Sequence, residues 1–278
     1  MINFIKRYHT IIRPVPLFPP AHKIVEKLIN NTNAYKEYIA MPNQNPYKLE
    51  EIQYCSDIHV DHVKKNPEIF PVTNTLIIAG NVGNPYHPNF YKFFKMVSNR
   101  FDIVYFTPGN QDLGCTKLYD KYLVSKHSKV IQDIVGLFNN VIMLNNEVYH
   151  HNNIVIVGTT LWSLPDVIFD QKSRDHYNEH KKSINFINNA KFLYNNKKII
   201  VVSHYVPTYH LIEEKYYNHP HNCYFVTDLE KYITRPIHTW ICGHTHQVNE
   251  CSINNVNCLI NAHGYSNSKV IHTKTFFI

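Results

Sequence analysis

Five apolar runs in this chain each break off at a turn carrying side chains that can bind a cation. Ile52–Cys55 leads to Ser56-Asp57-Ile58-His59, and Thr75–Ala79 leads to Gly80-Asn81-Val82-Gly83-Asn84. Phe101–Phe106 leads to Thr107-Pro108-Gly109-Asn110-Gln111-Asp112, and Lys198–Val202 leads to Ser203-His204-Tyr205. The last run, Ile237–Ile241, ends at Cys242-Gly243-His244-Thr245-His246. Short β-branched and aromatic runs of this kind read as buried strands. Helical spacing predicts helices over 86–98, 117–137, 175–195 and 227–233. Further strands are expected near 141–150, 153–158, 247–252, 256–261 and 269–277. Strand–helix alternation argues for a layered α/β fold, and in such folds ligands gather at the carboxyl ends of strands. One His-x-His means little among 19 histidines. Five strand ends bearing Asp57/His59, Asn81, Asn110/Asp112, His204 and His244/His246 point together to one metal site. Gly243 is expected to let the backbone turn so that both following imidazoles face it.

Composition narrows the alternatives. With 278 residues and 44% hydrophobic content the chain can bury a large core. The net charge of +7 is spread along the sequence, which suits a phosphate-bearing ligand but argues against nucleic acid as the main partner. Six cysteines without a C-x-x-C read as buried thiols in a reducing compartment. No signal peptide or membrane-length apolar run is found, so a cytoplasmic location without membrane association is expected. Residues 1–48, rich in Pro and followed by helical spacing over 21–40, read as an N-terminal extension. Residues 49–278 read as the main domain.

The ordered motifs resemble those of the calcineurin-like metallophosphoesterases: D-x-H, G-D-x-x-D/N, G-N-H-D/E, a strand-end His, and G-H-x-H. They correspond here to Asp57-Ile-His59, Gly80-Asn81-Val-Gly-Asn84, Gly109-Asn110-Gln111-Asp112, His204 and Gly243-His244-Thr-His246. Gly158-Thr-Thr-Leu-Trp162-Ser163, Thr227-Asp-Leu-Glu230 and Asn261-Ala-His-Gly264-Tyr265 look like one branch of that family. The resemblance implies a four-layer α/β/β/α sandwich of two mixed sheets flanked by helices. It implies two divalent ions, such as Mn, Fe or Zn. Asp57, His59 and His246 would hold one ion and Asn110, His204 and His244 the other, with position 81 bridging them. The implied reaction is in-line attack of a metal-bound hydroxide on a phosphomonoester or phosphodiester, in a phosphorylated small molecule or protein. Asp57, His204 and position 111 would carry the catalysis, and Asn110, Gln111 and Tyr265 would touch substrate.

Two positions depart from that pattern. Asn81 stands where the family has Asp, and Gln111 where it has the His that protonates the leaving oxygen. An amide offers one carbonyl oxygen and no charge, and it cannot give up a proton near neutral pH. The expectation is one ion lost or partly bound, with the Asp57–His59–His246 half surviving. Activity would be impaired, least so on aryl phosphates. A slow natural enzyme, a pseudoenzyme holding a phosphorylated ligand or a protein partner, and a chain altered to trap a complex all fit.

Among the other histidines, His150-His151 and His219/His221 read as surface or loop residues, and His176/His180 as a solvated helix face rather than a metal pair. Cys242 reads as a packing thiol. The aromatic stretch Tyr205–Tyr217 is left open between a loop over the metals and core.

Overall fold

The computed structural model describes residues 50–63, 67–265 and 273–278. The expected N-terminal extension and its helix lie outside them. Two mixed sheets face each other. The first has the order β11-β1-β2-β3-β4 and the second β5-β6-β7-β8-β10-β9. Their strands are β1 Glu51–Cys55, β2 Thr75–Ala79, β3 Ile103–Thr107, β4 Val141–Met143, β5 Glu147–His151, β6 Ile154–Thr159, β7 Lys198–Ser203, β8 Ile237–Cys242, β9 Val248–Ile253, β10 Val256–Asn261 and β11 Thr275–Phe277. Strands β1 to β4 run parallel with β11 antiparallel at the edge. In the second sheet β6, β7, β8 and β10 run parallel between antiparallel β5 and β9.

Period-two alternation sets the layers. Ile52, Tyr54, Ile77, Ala79 and Tyr105 face Ile154, Ile156, Ile200, Val202 and Ile241 across the sheet interface. The opposite face of the first sheet packs on helices α1 (Pro88–Ser98) and α2 (Lys121–Val135). There, Phe90 and Phe94 meet the ring of Phe106. Helix α3 (Gln171–Leu193) lies against β6 of the second sheet. The expected layering is therefore present.

Local boundaries differ from the periodicity reading for identifiable reasons. Helix α2 starts only at Lys121 because the Asp120 carboxylate accepts the N–H groups of Tyr122 and Leu123 at 3.1 and 3.2 Å. Helix α3 starts early, at Gln171, behind a capping box between Asp170 and Ser173. The stretch expected as one strand near 141–150 divides into β4 and β5, which enter different sheets. Residues 227–233 form turns, not a helix. The N–H groups of Thr227 and Leu229 go to the carbonyls of Val206 and Pro207 instead of to a preceding turn.

His151 is not a loose surface residue, although its neighbour His150 is exposed. Its Nε2–H donates to the Glu50 carboxylate, and its Nδ1 accepts from the Tyr105 hydroxyl at 2.6 Å. The chain Glu50–His151–Tyr105 thus ties one sheet to the other. Tyr105→Phe would leave His151 Nδ1 half-buried without a donor. The expected loss is about 1–3 kcal/mol, read from urea unfolding, with no effect on ion binding.

Candidate metal centre

The strand ends deliver their side chains through strained backbone. Asp57, His59, Asn81, His244 and His246 have φ between 49° and 73°, the left-handed region that non-glycine residues enter at a cost and mostly at functional sites. At these positions the left-handed backbone redirects the chain just past the ends of β1, β2 and β8. Gly243 does not supply that turn. A Cβ on it would lie 2.6 Å from Asp57 Oδ2 and 2.7 Å from the Ser56 side chain, so glycine is required there for close approach. Gly80 (φ +83°) serves both needs, since its Cβ would strike His204 Nδ1 at 2.4 Å.

Two groups of acceptors result. In the first, His59 Nε2 and His246 Nε2 are 2.9 Å apart. Asp57 Oδ1 lies 3.7 Å from His59 Nε2 and 3.6 Å from His246 Nε2. In the second, His204 Nε2 is 3.1 Å from Asn110 Oδ1 and 3.1 Å from His244 Nδ1. Ion–ligand bonds of about 2.0–2.2 Å place neighbouring ligand atoms roughly 2.8–3.6 Å apart; the second group falls inside that span, and the first runs from its lower end to just beyond its upper end.

The second group also has the right chemistry. His204 Nδ1 faces the Ala79 carbonyl at 2.9 Å, and His244 Nε2 faces the Tyr224 carbonyl at 3.1 Å. A carbonyl only accepts, so these nitrogens carry the protons. Asn110 Nδ2 donates to the Cys115 carbonyl at 2.8 Å. That leaves two imidazole lone pairs and one amide oxygen pointing at each other with no donor among them, an arrangement a cation satisfies. Burial keeps the imidazoles neutral, as ligation requires. It lowers the pKa of His204 and, with His204 adding its repulsion, pushes that of His244 down to about 3. Burial lowers His246 as well. Burial also works to raise Asp57, but the surrounding imidazoles outweigh it and hold the carboxyl below the usual carboxylate range.

No family model matches the chain. It is 26% identical to the uncharacterized protein L509 of Acanthamoeba polyphaga mimivirus, with 78% of this chain and 92% of the relative covered. Among solved structures it is similar to phosphopantetheinyl hydrolase from Mycobacterium tuberculosis, with a TM-score of 0.58 and 14% identity, covering 83% of this chain and 96% of that one. The chain has the metallophosphoesterase fold.

On that fold the two departing residues have defined places. Asn81 Oδ1 accepts the N–H of Gln111 at 3.0 Å, which turns Nδ2 toward Asp57 Oδ1 at 3.3 Å. The amide therefore presents a donor, not an acceptor, to the first group. Gln111 Nε2 donates to the Tyr265 hydroxyl at 2.6 Å. The Tyr265 ring covers His59, His62 and His246 at centroid distances of 4.2, 4.8 and 4.7 Å. Tyr265 reaches this position because the N–H groups of His263 and Gly264 bind the carbonyls of Ser56 and Asp57.

Other sequence expectations need correcting. Asp112 sits at a strand end, yet its carboxylate accepts the N–H groups of Asn81, Gly83 and Gly109 at 2.7 to 2.8 Å. These bonds make it an organiser of the loops. His176 and His180 are buried, not solvated. Both ring nitrogens of His176 are engaged, Nδ1 by Tyr119 N–H at 3.0 Å and Nε2 by the Ser163 hydroxyl at 3.1 Å, so the pair holds no metal. The Tyr205–Tyr217 stretch divides. Tyr205 is buried with its ring 4.3 Å from that of His244, whereas Tyr216 and Tyr217 are exposed. Cys242 is buried and free, and His219 and His221 are exposed. Sequence reading missed Tyr224, whose carbonyl fixes the His244 tautomer, and Phe225, whose ring lies 5.0 Å from that of His244. A backbone carbonyl leaves no signature in sequence.

Proposed function

We propose that the chain is a metal-dependent hydrolase of phosphoesters, slowed by Asn81 and Gln111. The observation that carries this reading is the convergence of His204 Nε2, His244 Nδ1 and Asn110 Oδ1, three acceptors with no donor among them, beside Asp57, His59 and His246. On this reading Asp57, His59 and His246 hold one divalent ion. Asn110, His204 and His244 hold the other, more weakly, having no carboxylate. Bound ions would supply Lewis acidity toward phosphoryl oxygens and toward the attacking water. Asn110, Gln111 and Tyr265 orient the phosphoryl group by hydrogen bonds. Gln111 gives the leaving oxygen no proton, so that proton comes from solvent and esters with good leaving groups are favoured. Residues 1–48 stand apart from this chemistry as an extension, and 49–278 carry it.

The orientation of Asn81 favours a second reading. Its amide N–H toward Asp57 partly fills the place of a cation, as a pseudoenzyme that binds a phosphorylated ligand or partner without turnover could tolerate. Metal analysis combined with hydrolysis of an aryl phosphate and an aryl phosphodiester separates the two. The hydrolase reading expects bound divalent ion and slow turnover in the unaltered protein, with both rising in the double variant Asn81→Asp/Gln111→His. A double variant that folds, binds no ion and turns nothing over would support the binding protein instead.

A further inference from the structure

Outside the ligands, Leu161 and Trp162 are the described residues other than Asn and Gly with positive φ, consecutive and buried, at 74° and 53°. Non-glycine residues rarely adopt this conformation once, and two in succession require their surroundings to hold them. The polar half of the buried face of α3 does so. His180 Nδ1 lies 3.2 Å from the Leu161 carbonyl and 3.3 Å from the Trp162 carbonyl. Both are acceptors, so Nδ1 carries the proton and divides it between them. One turn earlier His176 bonds Ser163, and one turn later the Ser183 hydroxyl lies 2.9 Å from that of Thr159. This accounts for the burial of both histidines on the helix.

Three routes leave this turn, each ending at a different member of one half of the cluster. The Thr160 hydroxyl donates to the Pro108 carbonyl at 2.8 Å, two residues before Asn110. The Thr160 carbonyl accepts the N–H groups of His204 and Tyr205 at 3.4 and 3.3 Å. The Trp162 ring packs 5.7 Å from that of Tyr205, which lies against His244. The other half has further supports of its own, and the two halves touch where the His244 N–H donates to Asp57 Oδ2 at 2.8 Å. Asp57 and His59 donate their N–H groups to the carbonyls of Gly80 and Asn81, and the Asp57 carbonyl accepts from Gly264.

We propose that His180, backed by His176, is a positioning residue that clamps the Leu161–Trp162 turn and thereby sets the Asn110–His204–His244 half in preference to the Asp57–His59–His246 half. The functional part of this inference rests on that half being an ion site; the positioning part does not. The test therefore has two arms, using His180→Ala and His180→Asn, whose amide N–H can occupy the place of Nδ1–H. Long-range proton–nitrogen spectra of the metal-free protein should show His204 protonated at Nδ1 and His244 at Nε2. In His180→Ala these two should lose their single tautomers while His59 and His246 keep their signals, and His180→Asn should restore them. Cobalt titration in the Asn81→Asp background should show the second ion weakened by about 10- to 100-fold in His180→Ala, the first unchanged, and His180→Asn close to the parent. Should His180→Ala fail to fold, His180→Gln, which moves the donor by one bond, carries the same expectation. Unchanged His204 and His244 signals would overturn the proposal, as would equal disturbance of His59 and His246. A selective spectral response with no cobalt bound by any variant would uphold the positioning and remove the ion-site reading.

Discussion

Asn81→Asp is expected to tighten binding of the second divalent ion by two to three orders of magnitude and to destabilise the metal-free protein. The two effects share one cause. In the unaltered chain the Asn81 amide donates to Asp57 Oδ1 at 3.3 Å. A carboxylate there replaces a donor with a negative charge inside a buried cluster. With a divalent ion present, a unit charge about 4 Å away contributes about 8 kcal/mol at an effective dielectric near 20. Part of this is offset by burying the new charge, leaving about 3–4 kcal/mol, or roughly a hundred- to a thousandfold in affinity. Without the ion, two carboxylates meet and one takes up a proton. The new carboxyl's folded pKa then lies above its unfolded value, so the variant loses stability as pH rises through it and recovers as pH falls. Thermal unfolding should show a lower midpoint than the parent in chelator at neutral pH and a larger upward shift on adding ion. A variant as stable as the parent in chelator, with no gain in ion affinity, would show that position 81 does not face both groups.

Gln111→His is expected to raise turnover of alkyl phosphoesters by about 10²–10⁴-fold, the usual yield of a general acid, with far less gain on aryl phosphates. Gln111 is only half-buried, and its amide already reaches the Tyr265 hydroxyl above His59 and His246. An imidazole in that place keeps a donor for the contact and adds a transferable proton. An aryl leaving group departs as a stable anion and needs that proton little, so dependence on leaving-group acidity should flatten in the variant. The added rate requires the imidazolium, so it should decline as pH rises through the ordinary histidine range near 6.5. The gain depends on the nucleophile being in place and should be larger in the Asn81→Asp background than alone. An unchanged leaving-group dependence would remove position 111 from proton transfer.

Much of the architecture is legible in the sequence because strand and helix periods are local. The run Thr75–Ala79 is buried at every position and apolar from Leu76 on, as suits a strand covered on both faces. Positions 227–233 misled because their apolar spacing suits a helix, while distant carbonyls at 206 and 207 take their N–H groups. His176 and His180 misled in a related way. Polar residues four apart ordinarily face water, and only tertiary structure gives these two buried partners, Tyr119 and Ser163 for His176 and the strained turn at Leu161–Trp162 for His180. Asp112 looked like a ligand because residue type does not reveal what a carboxylate accepts.

Residue order alone determined the strand–helix alternation, the carboxylate, amide and imidazole groups at the strand ends, and the loss of charge at 81 and of a proton donor at 111. Those follow from covalent chemistry and short-range periodicity. Tertiary structure decided which atom each group presents. The tautomers of His204 and His244 follow from the carbonyls of Ala79 and Tyr224, and the orientation of Asn81 from the N–H of Gln111. Tyr265 covers the imidazoles through backbone bonds to Ser56 and Asp57. These are contacts between residues tens to hundreds of positions apart, and hydrogen-bond direction at a buried site is set by the partner, which only folding supplies.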